Sequence, residues 1–567
     1  MTKPKPQVDY AAGVAAINTA LDAGMVGVEA YADAAALLTD WRKSRERAGL
    51  PWKDQFQACR AMRERATAHA AKVEKPEDMV TLATNIEALL AVNADKDFDA
   101  YMLYMEWGRN PQKRFYDPRR KVLKVVADDL QDLFDDELDF YSLSCPPRIG
   151  KTTICCFFMT FNIGNHPDVA NLMSGYADKL TISFYNEVLS IITDEDEYRF
   201  AKIFPKAKVK TTNALACQIF LNKKTRFPAL TCRPVEGSTT GAVEVGRGGL
   251  LYCDDMVKNF EQAVNSERMD KLYSLYLTNL YDRCNPGSKE MHIGTRWVPN
   301  DIIGRIEDDH GGDKRYRFRN LPALNEHGES NFLYEQTEKC NPWPTEKWLE
   351  IKARHEANNL DDVWAAKYMC APYWREGLMF PEDELYWYDG TLPEGEPDGI
   401  IAVCDTKDKG DDYACMPVGY IYGDRHFIHD CVCDNGKLEI VEEKLAQCLF
   451  ANNVHLARFE SNAAGGHVAR EVEDKCRAKG SGIEIRTKYS TENKEVRIVT
   501  DSPWIKSKCY FRSDHPSKDY DAMVNMLTRF SGVSKHTHDD APDALSMYCR
   551  FAQSMRKASI QPVVRRF

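Results

Sequence analysis

The sequence predicts an α/β protein in which a helical region precedes a larger unit on a mostly parallel sheet and a smaller α/β unit closes the chain. Three observations predict it. Residues 1–105 are rich in Ala, Leu, Lys and Glu, show helical apolar spacing at 30–38 and 79–92, and carry almost no strand signal. From about 110 to 375, short apolar runs at 141–144, 170–174, 250–253 and 290–294 alternate with amphipathic stretches, the rhythm of a mostly parallel sheet. After a Pro-, Gly- and Glu-rich stretch, strand-like runs return at 400–404, 415–422, 426–433 and 455–459, with a helical pattern at 439–450.

The expected bounds are therefore a helical accessory region at 1–105, the larger unit at 106–379, a linker at 380–399, the smaller unit at 400–553 and a tail at 554–567. The tail carries Arg556, Lys557, Arg565 and Arg566 without an acid and reads as a solvated end.

Composition bounds the function. With 567 residues the chain is long enough for about three or four domains, and 43% hydrophobic with 11% aromatic content excludes general disorder. Lys and Arg number 75 against 86 Asp and Glu, a net charge of -11 that excludes a histone-like DNA coat. Local basic patches at 206–210 and 486–497 still permit contact with phosphates. The longest uncharged apolar run, at 154–159, is far short of the ~20 residues of a membrane span. No apolar segment of a secretory signal follows the first lysines, so the expected location is a cytoplasm. The 18 cysteines are scattered through apolar runs without paired CxxC spacing, and read as reduced core residues.

The run from Cys145 to Thr152 (CPPRIGKT) follows one strand pattern and opens a helix pattern, the context a phosphate-binding loop needs. Backbone N–H groups across Arg148, Ile149, Gly150, Lys151, Thr152 and Thr153 would cradle phosphate oxygens. Gly150 allows close approach, Lys151 reaches the β- and γ-phosphates, and Thr152 offers a hydroxyl to Mg2+. Cys145 stands where the usual motif has Gly. A hydrolase also needs a strand ending in a carboxylate, and Leu250 to Asp255 (LLYCDD) ends in two. Asp254 would organise the metal, and Asp255 would activate water, with Glu261 in reserve. A solvated strand-end turn has the same composition, but the loop upstream favours chemistry.

A second acidic constellation lies beyond the linker. Asp405 ends one strand pattern, Glu460 another, and HDDAPD at 538–543 opens a helix pattern with Pro542 in its first turn. Carboxylates from neighbouring strand ends and a packed helix make an oxygen-rich site suited to two Mg2+ or Mn2+ ions, the chemistry of phosphodiester hydrolysis. Asp540 and Asp543, three residues apart, share a helix face, and the sequence does not choose between them. Asp539 reads as a cap and His538 as a proton-handling neighbour, while Asp411 and Asp412 read as a solvated hairpin tip.

In order and spacing these motifs resemble the large terminase subunit of tailed bacteriophages, the ATPase-nuclease that packages DNA into empty heads. The resemblance spans about 110–553 and rests on 146–152, on 238–249 leading into 254–259, on GTRW at 294–297 with 301–305, on Glu376, Gly377 and Phe380, and on 538–545. It implies a P-loop ATPase domain, with ATP and Mg2+ as cofactors, and a ribonuclease H-like nuclease domain holding two Mg2+ or Mn2+. Arg148 then belongs to a variant phosphate loop lacking the leading Gly and is a phosphate-contacting, catalytic candidate. Thr295 and Arg296 fall at the family's coupling motif, and 115–121 (FYDPRRK) where the family contacts adenine, which suits aromatic stacking beside Arg donors. Asp405, Glu460 and Asp540 or Asp543 become the nuclease ligands, and Asp255 stands in for a more usual Glu. The implied partners are double-stranded DNA, the portal protein and the small terminase subunit, in a pentameric ring docked on the procapsid within the host cytoplasm. Residues 1–105 match nothing in that pattern and are expected to serve assembly or docking. The competing expectation is a P-loop helicase-nuclease of repair or defence, which normally has a second motor-like domain. A scaffold binding DNA and nucleotide without turnover would have been supported by loss of Lys151 or Asp254, and both are present.

Overall fold

The computed structural model describes residues 9–237, 244–338, 340–358, 360–373, 378–406, 413–461, 465–489, 493–531 and 539–559. The expected positions Glu376, Gly377, Asp411, Asp412 and His538, much of 238–249 and most of the tail lie outside them.

Five helices, Tyr10–Asp22, Ala30–Ala48, Lys53–Ala70, Pro76–Asn93 and Phe98–Met105, form the expected helical front. Their apolar stripes close on Tyr31, Leu38, Met62, Leu82 and Leu89. Buried acids tie this module to the segment at 115–120. Asp99 pairs with Arg63 at 2.6 Å and with Arg120 at 2.8 Å, and accepts from Tyr116 Oη at 2.7 Å. Glu106 accepts from the N–H groups of Phe115 and Tyr116. The accessory region is thus anchored to the stretch that leads into the phosphate loop.

The first sheet comprises β1 (Phe140–Ser144), β2 (Asn171–Gly175), β3 (Val209–Asn213), β4 (Gln218–Leu221), β5 (Leu230–Pro234), β6 (Leu250–Asp254), β7 (Lys289–Ile293) and β8 (Tyr316–Asn320). Its order is β3-β4-β5-β2-β6-β7-β1-β8, antiparallel only at the β3-β4-β5 edge. β1, β2 and β6 are buried along their whole length, as near-continuous apolar runs in a parallel sheet must be. The parallel direction gathers the ends of β1, β6 and β7 at one rim.

The second sheet comprises β9 (Tyr386–Tyr388), β10 (Gly399–Cys404), β11 (Ala414–Tyr422), β12 (Arg425–Asp434), β13 (Leu456–Glu460), β14 (Glu484–Lys488) and β15 (Cys509–Arg512), in the order β14-β13-β10-β11-β12-β15-β9. β10, β11 and β12 are antiparallel, and the other pairs are parallel. One face packs on Val441, Leu445, Leu449 and Val472, the other on Ile498, Ile505, Leu545 and Tyr548. The helix Asp540–Ser559 lies so close to β11 that a Cβ at Gly419 would sit 2.0 Å from Tyr548 Oη.

Two expectations are corrected here. The 380–399 stretch is not a bare linker: β9 pairs with β15, and Phe380 is fully buried in the core of the second unit. Arg497, counted in a DNA-facing patch, is instead buried among acids. The cysteines behave as expected: all 18 are free, and all but Cys284 are buried. Among the described residues no helix is long and apolar enough to cross a membrane.

Candidate active sites

β1 feeds the loop that ends at Gly150, and the helix Lys151–Asn165 starts there. Arg148 has φ +67° and Gly150 has φ +105°, so the loop turns through the left-handed region twice. Ile149 is fully buried, which leaves only its backbone for a ligand, while Arg148 is exposed. Cys145 is buried, and its thiol is pushed up to about 11 by that burial.

Phe115 lies directly on this loop: a Cβ at Gly150 would stand 2.4 Å from its Cε2 atom. Arg119 covers the Phe115 ring at 5.0 Å and the Tyr334 ring at 5.7 Å. Within the expected adenine segment, Tyr116 and Arg120 serve the Asp99 network. Gly150→Ala combines a clash with an unfavourable φ. It should lower stability by about 1–3 kcal/mol and abolish any rise of Tm with ATP, as a melt with and without nucleotide would show.

β6 lies one strand from β1 across β7, and carries the two acids to the loop. Thr152 Oγ1 donates to Asp254 Oδ2 at 3.2 Å. Burial, with Asp255 adding, raises the Asp254 carboxyl to about 7 against the pull of Lys151. Its Oδ1 is buried without a hydrogen-bond partner among the described residues. Asp255, at φ +40°, reaches back so that Oδ1 lies 3.3 Å from Lys151 Nζ and accepts from the Thr295 N–H at 3.3 Å. Thr152, Asp254 and the unsatisfied oxygen are hard donors beside a phosphate loop, a fit for nucleotide-bound Mg2+. Glu261 is exposed on the short helix Phe260–Ala263, with no described contact to Lys151 or Asp254.

The expected coupling pair divides. Thr295 touches the site through its backbone, whereas the Arg296 guanidinium is buried, 3.0 Å from Asp301 and 2.7 Å from Glu307. Asp301 in turn caps the helix Ile302–His310, accepting from Gly304 N at 2.9 Å. Arg296→Ala would strand the buried Asp301 carboxylate and should cost about 3–5 kcal/mol, measured as a loss of denaturant midpoint.

Sequence reasoning missed Lys367. It ends the helix Asp361–Lys367, and its pKa is lowered by burial, with the charges of Lys151 and Arg148 adding. Its separation from Gly150 by more than 200 residues left no local signal.

In the second sheet, β10 and β13 are adjacent and parallel with Cys404 opposite Phe459, so Asp405 and Glu460 emerge side by side. The helix Asp540–Ser559 brings Asp543, fully buried, to the same place. Asp405 is pushed well above the usual carboxylate range, by burial first and then by Asp543 and Glu460, against Lys494. Asp543 is raised to about 7 by burial, with Lys494 and Arg497 opposing. Asp540 turns partly away, accepting from Tyr413 N at 3.1 Å. Asp539 pairs with Lys494 at 2.8 Å.

Two cations stand among these acids, and the sequence reading did not assign either to the site. Lys494 and Arg497 share one face of the helix Lys494–Lys508 at i and i+3 spacing. Arg497 bridges Glu460 at 3.5 Å and Asp543 at 2.8 Å. The oxygen donors suit Mg2+ or Mn2+ in kind, and Asp405 Oδ2 and Asp543 Oδ1 are buried without hydrogen-bond partners among the described residues. As they stand, no three described His, Cys, Asp or Glu side chains form a group able to hold a metal ion.

No family model matches the chain, and no curated protein matches it. Solved structures similar to it include a large terminase from a thermophilic bacteriophage, with 12% identity over 77% of this chain and 98% of that one, at a TM-score of 0.42. The HK97 bacteriophage large terminase shows 10% identity over 74% and 93% of the two chains, at 0.32. The human cytomegalovirus terminase nuclease domain shows 11% identity over 32% and 98%, at 0.25. At these values the likeness carries no argument, and the functional reading rests on the side chains.

Proposed function

We propose that the chain is an ATP-hydrolysing, DNA-cutting motor of the large terminase kind, which drives double-stranded DNA into a viral procapsid and severs it from a concatemer. One observation carries the reading: a phosphate loop whose Thr152 touches Asp254 and a buried carboxylate cluster on a second sheet occur in one chain. A helicase-nuclease of repair would put a second motor where this chain has acids.

In the motor unit, backbone N–H groups from Arg148 to Thr153 and the Lys151 ammonium hold the phosphates, and Thr152 and Asp254 hold Mg2+. Asp255 is the group that orients water. Its pairing with Lys151 and the Thr295 N–H gives a path by which phosphate loss is felt on β7, because a phosphate competing for Lys151 releases Asp255. Thr295 carries this coupling and Arg296 braces it. Arg148 and Lys367 contribute further positive charge on the phosphate side.

In the nuclease unit, Asp405, Glu460 and Asp543 would hold two divalent ions, with Asp540 at the margin. Such ions, when bound, stabilise the attacking and leaving oxygens of a phosphodiester. Arg497 fixes Glu460 and Asp543 against their mutual repulsion. The partners that go with this reading are DNA, a portal protein, a small terminase subunit and further copies of the chain in a pentameric ring.

The first test is cleavage of supercoiled plasmid by the purified chain with Mn2+, Mg2+ or EDTA, alongside ATP hydrolysis. Metal-dependent cutting together with ATP turnover is the expected result. ATP turnover without cutting under any metal would remove the nuclease half of the proposal.

A further inference from the structure

We propose that the Lys494 ammonium is an internal counter-cation of the nuclease cluster, and that Lys494 and a divalent metal ion exclude one another there. The inference rests on reading the cluster as a metal site. Lys494 Nζ lies 2.8 Å from Asp539, 3.0 Å from Asp540, 3.4 Å from Asp405 and 3.8 Å from Asp543. One ammonium therefore faces four of the five acids, at the point where their oxygens converge.

Charge favours the occupancy. Among the described residues, Asp405, Glu460, Asp539, Asp540 and Asp543 are ion-paired with Lys494 and Arg497. Without metal the repulsion among these acids is relieved by Lys494 together with Arg497. A bound divalent ion would supply that charge itself and would meet the ammonium as a like charge at contact distance.

The two cations differ in freedom. Arg497 is 5% exposed and locked between two acids, whereas the Lys494 side chain is 32% exposed. Lys494 is also the first residue of its helix, capped by Asn493, so its four-carbon stem can swing outward without disturbing a helical turn. Metal entry thus displaces Lys494 and leaves Arg497 in place. The inserted cation guards the acids until metal arrives.

The experiment is Mn2+ titration of the full chain without DNA or nucleotide, comparing wild type, Lys494→Met, Asp405→Asn and the double variant. Lys494→Met keeps the stem and removes the charge, so Mn2+ affinity should rise by about tenfold or more, and Asp405→Asn should abolish binding with or without it. Unchanged or weaker binding in Lys494→Met, with binding still dependent on Asp405, would overturn the exclusion and leave the metal site standing. Absence of Asp405-dependent binding in every form at millimolar Mn2+ would overturn the metal reading and this inference with it. Wild-type protein gives a check that needs no variant. Acetylation of Lys494 by an N-hydroxysuccinimide ester, followed by peptide mass spectrometry, should speed up several-fold when Mn2+ is added. An unchanged or slower rate would contradict displacement.

Discussion

Lys151→Ala lowers ATP turnover by about 10³-fold or more while plasmid cutting with Mn2+ keeps its wild-type rate. The first half follows from position. Lys151 is the side chain that the loop aims at the space beside Asp254 and Asp255, and its Nζ lies 3.3 Å from Asp255 Oδ1. Removing it deletes a preorganised charge at the phosphates and frees Asp255 from its partner, so both stabilisation and the path to Thr295 fail. The second half follows from separation, because the carboxylate cluster hangs on a different sheet with its own cores. Steady-state phosphate release and gel-resolved plasmid cleavage measure the two halves. A surviving ATPase in Lys151→Ala would refute the nucleotide-site assignment.

Asp405→Asn has the opposite profile, with cutting reduced by about 10³-fold or more and ATP turnover unchanged. Asp405 sits on the central strand pair of the second sheet, and its charge couples to both Asp543 and Glu460. Loss of one oxygen donor is not made good by Asp540, whose Oδ2 accepts from the Tyr413 N–H. Asp543→Asn should match Asp405→Asn, and Asp540→Asn should be milder. Equal loss in Asp540→Asn and none in Asp543→Asn would reverse the assignment of the third ligand.

The strands that carry these groups were legible because buried parallel strands are written as apolar runs, and the acids that end them stand out. β1, β6, β10 and β13 each appear in the sequence within a residue or so of their observed limits. β3, four of whose five residues are exposed, carries no such run, and β9 is three residues of an edge. β3 takes its form from the hairpin with β4, and β9 from pairing with β15 far along the chain. Side chains were harder to read than strands. Arg296 falls at the coupling motif in the sequence, and the structure adds that its guanidinium is buried against Asp301 and Glu307. Lys494 and Arg497 looked like a DNA-facing patch, since composition shows charge and not the face of a helix that meets the acids. Asp540 and Asp543 could be separated only once Tyr413 and Arg497 were seen to claim different carboxylates.

The central claim is that one chain carries two independent reaction centres, and a crossed comparison tests it most directly. Wild type, Lys151→Ala, Asp405→Asn and the double variant are assayed for ATP hydrolysis and Mn2+-dependent plasmid cleavage in the same preparations. Each single variant is expected to lose one activity and retain the other, and the double variant to lose both. Loss of both activities in either single variant, with the fold intact by melting, would contradict it.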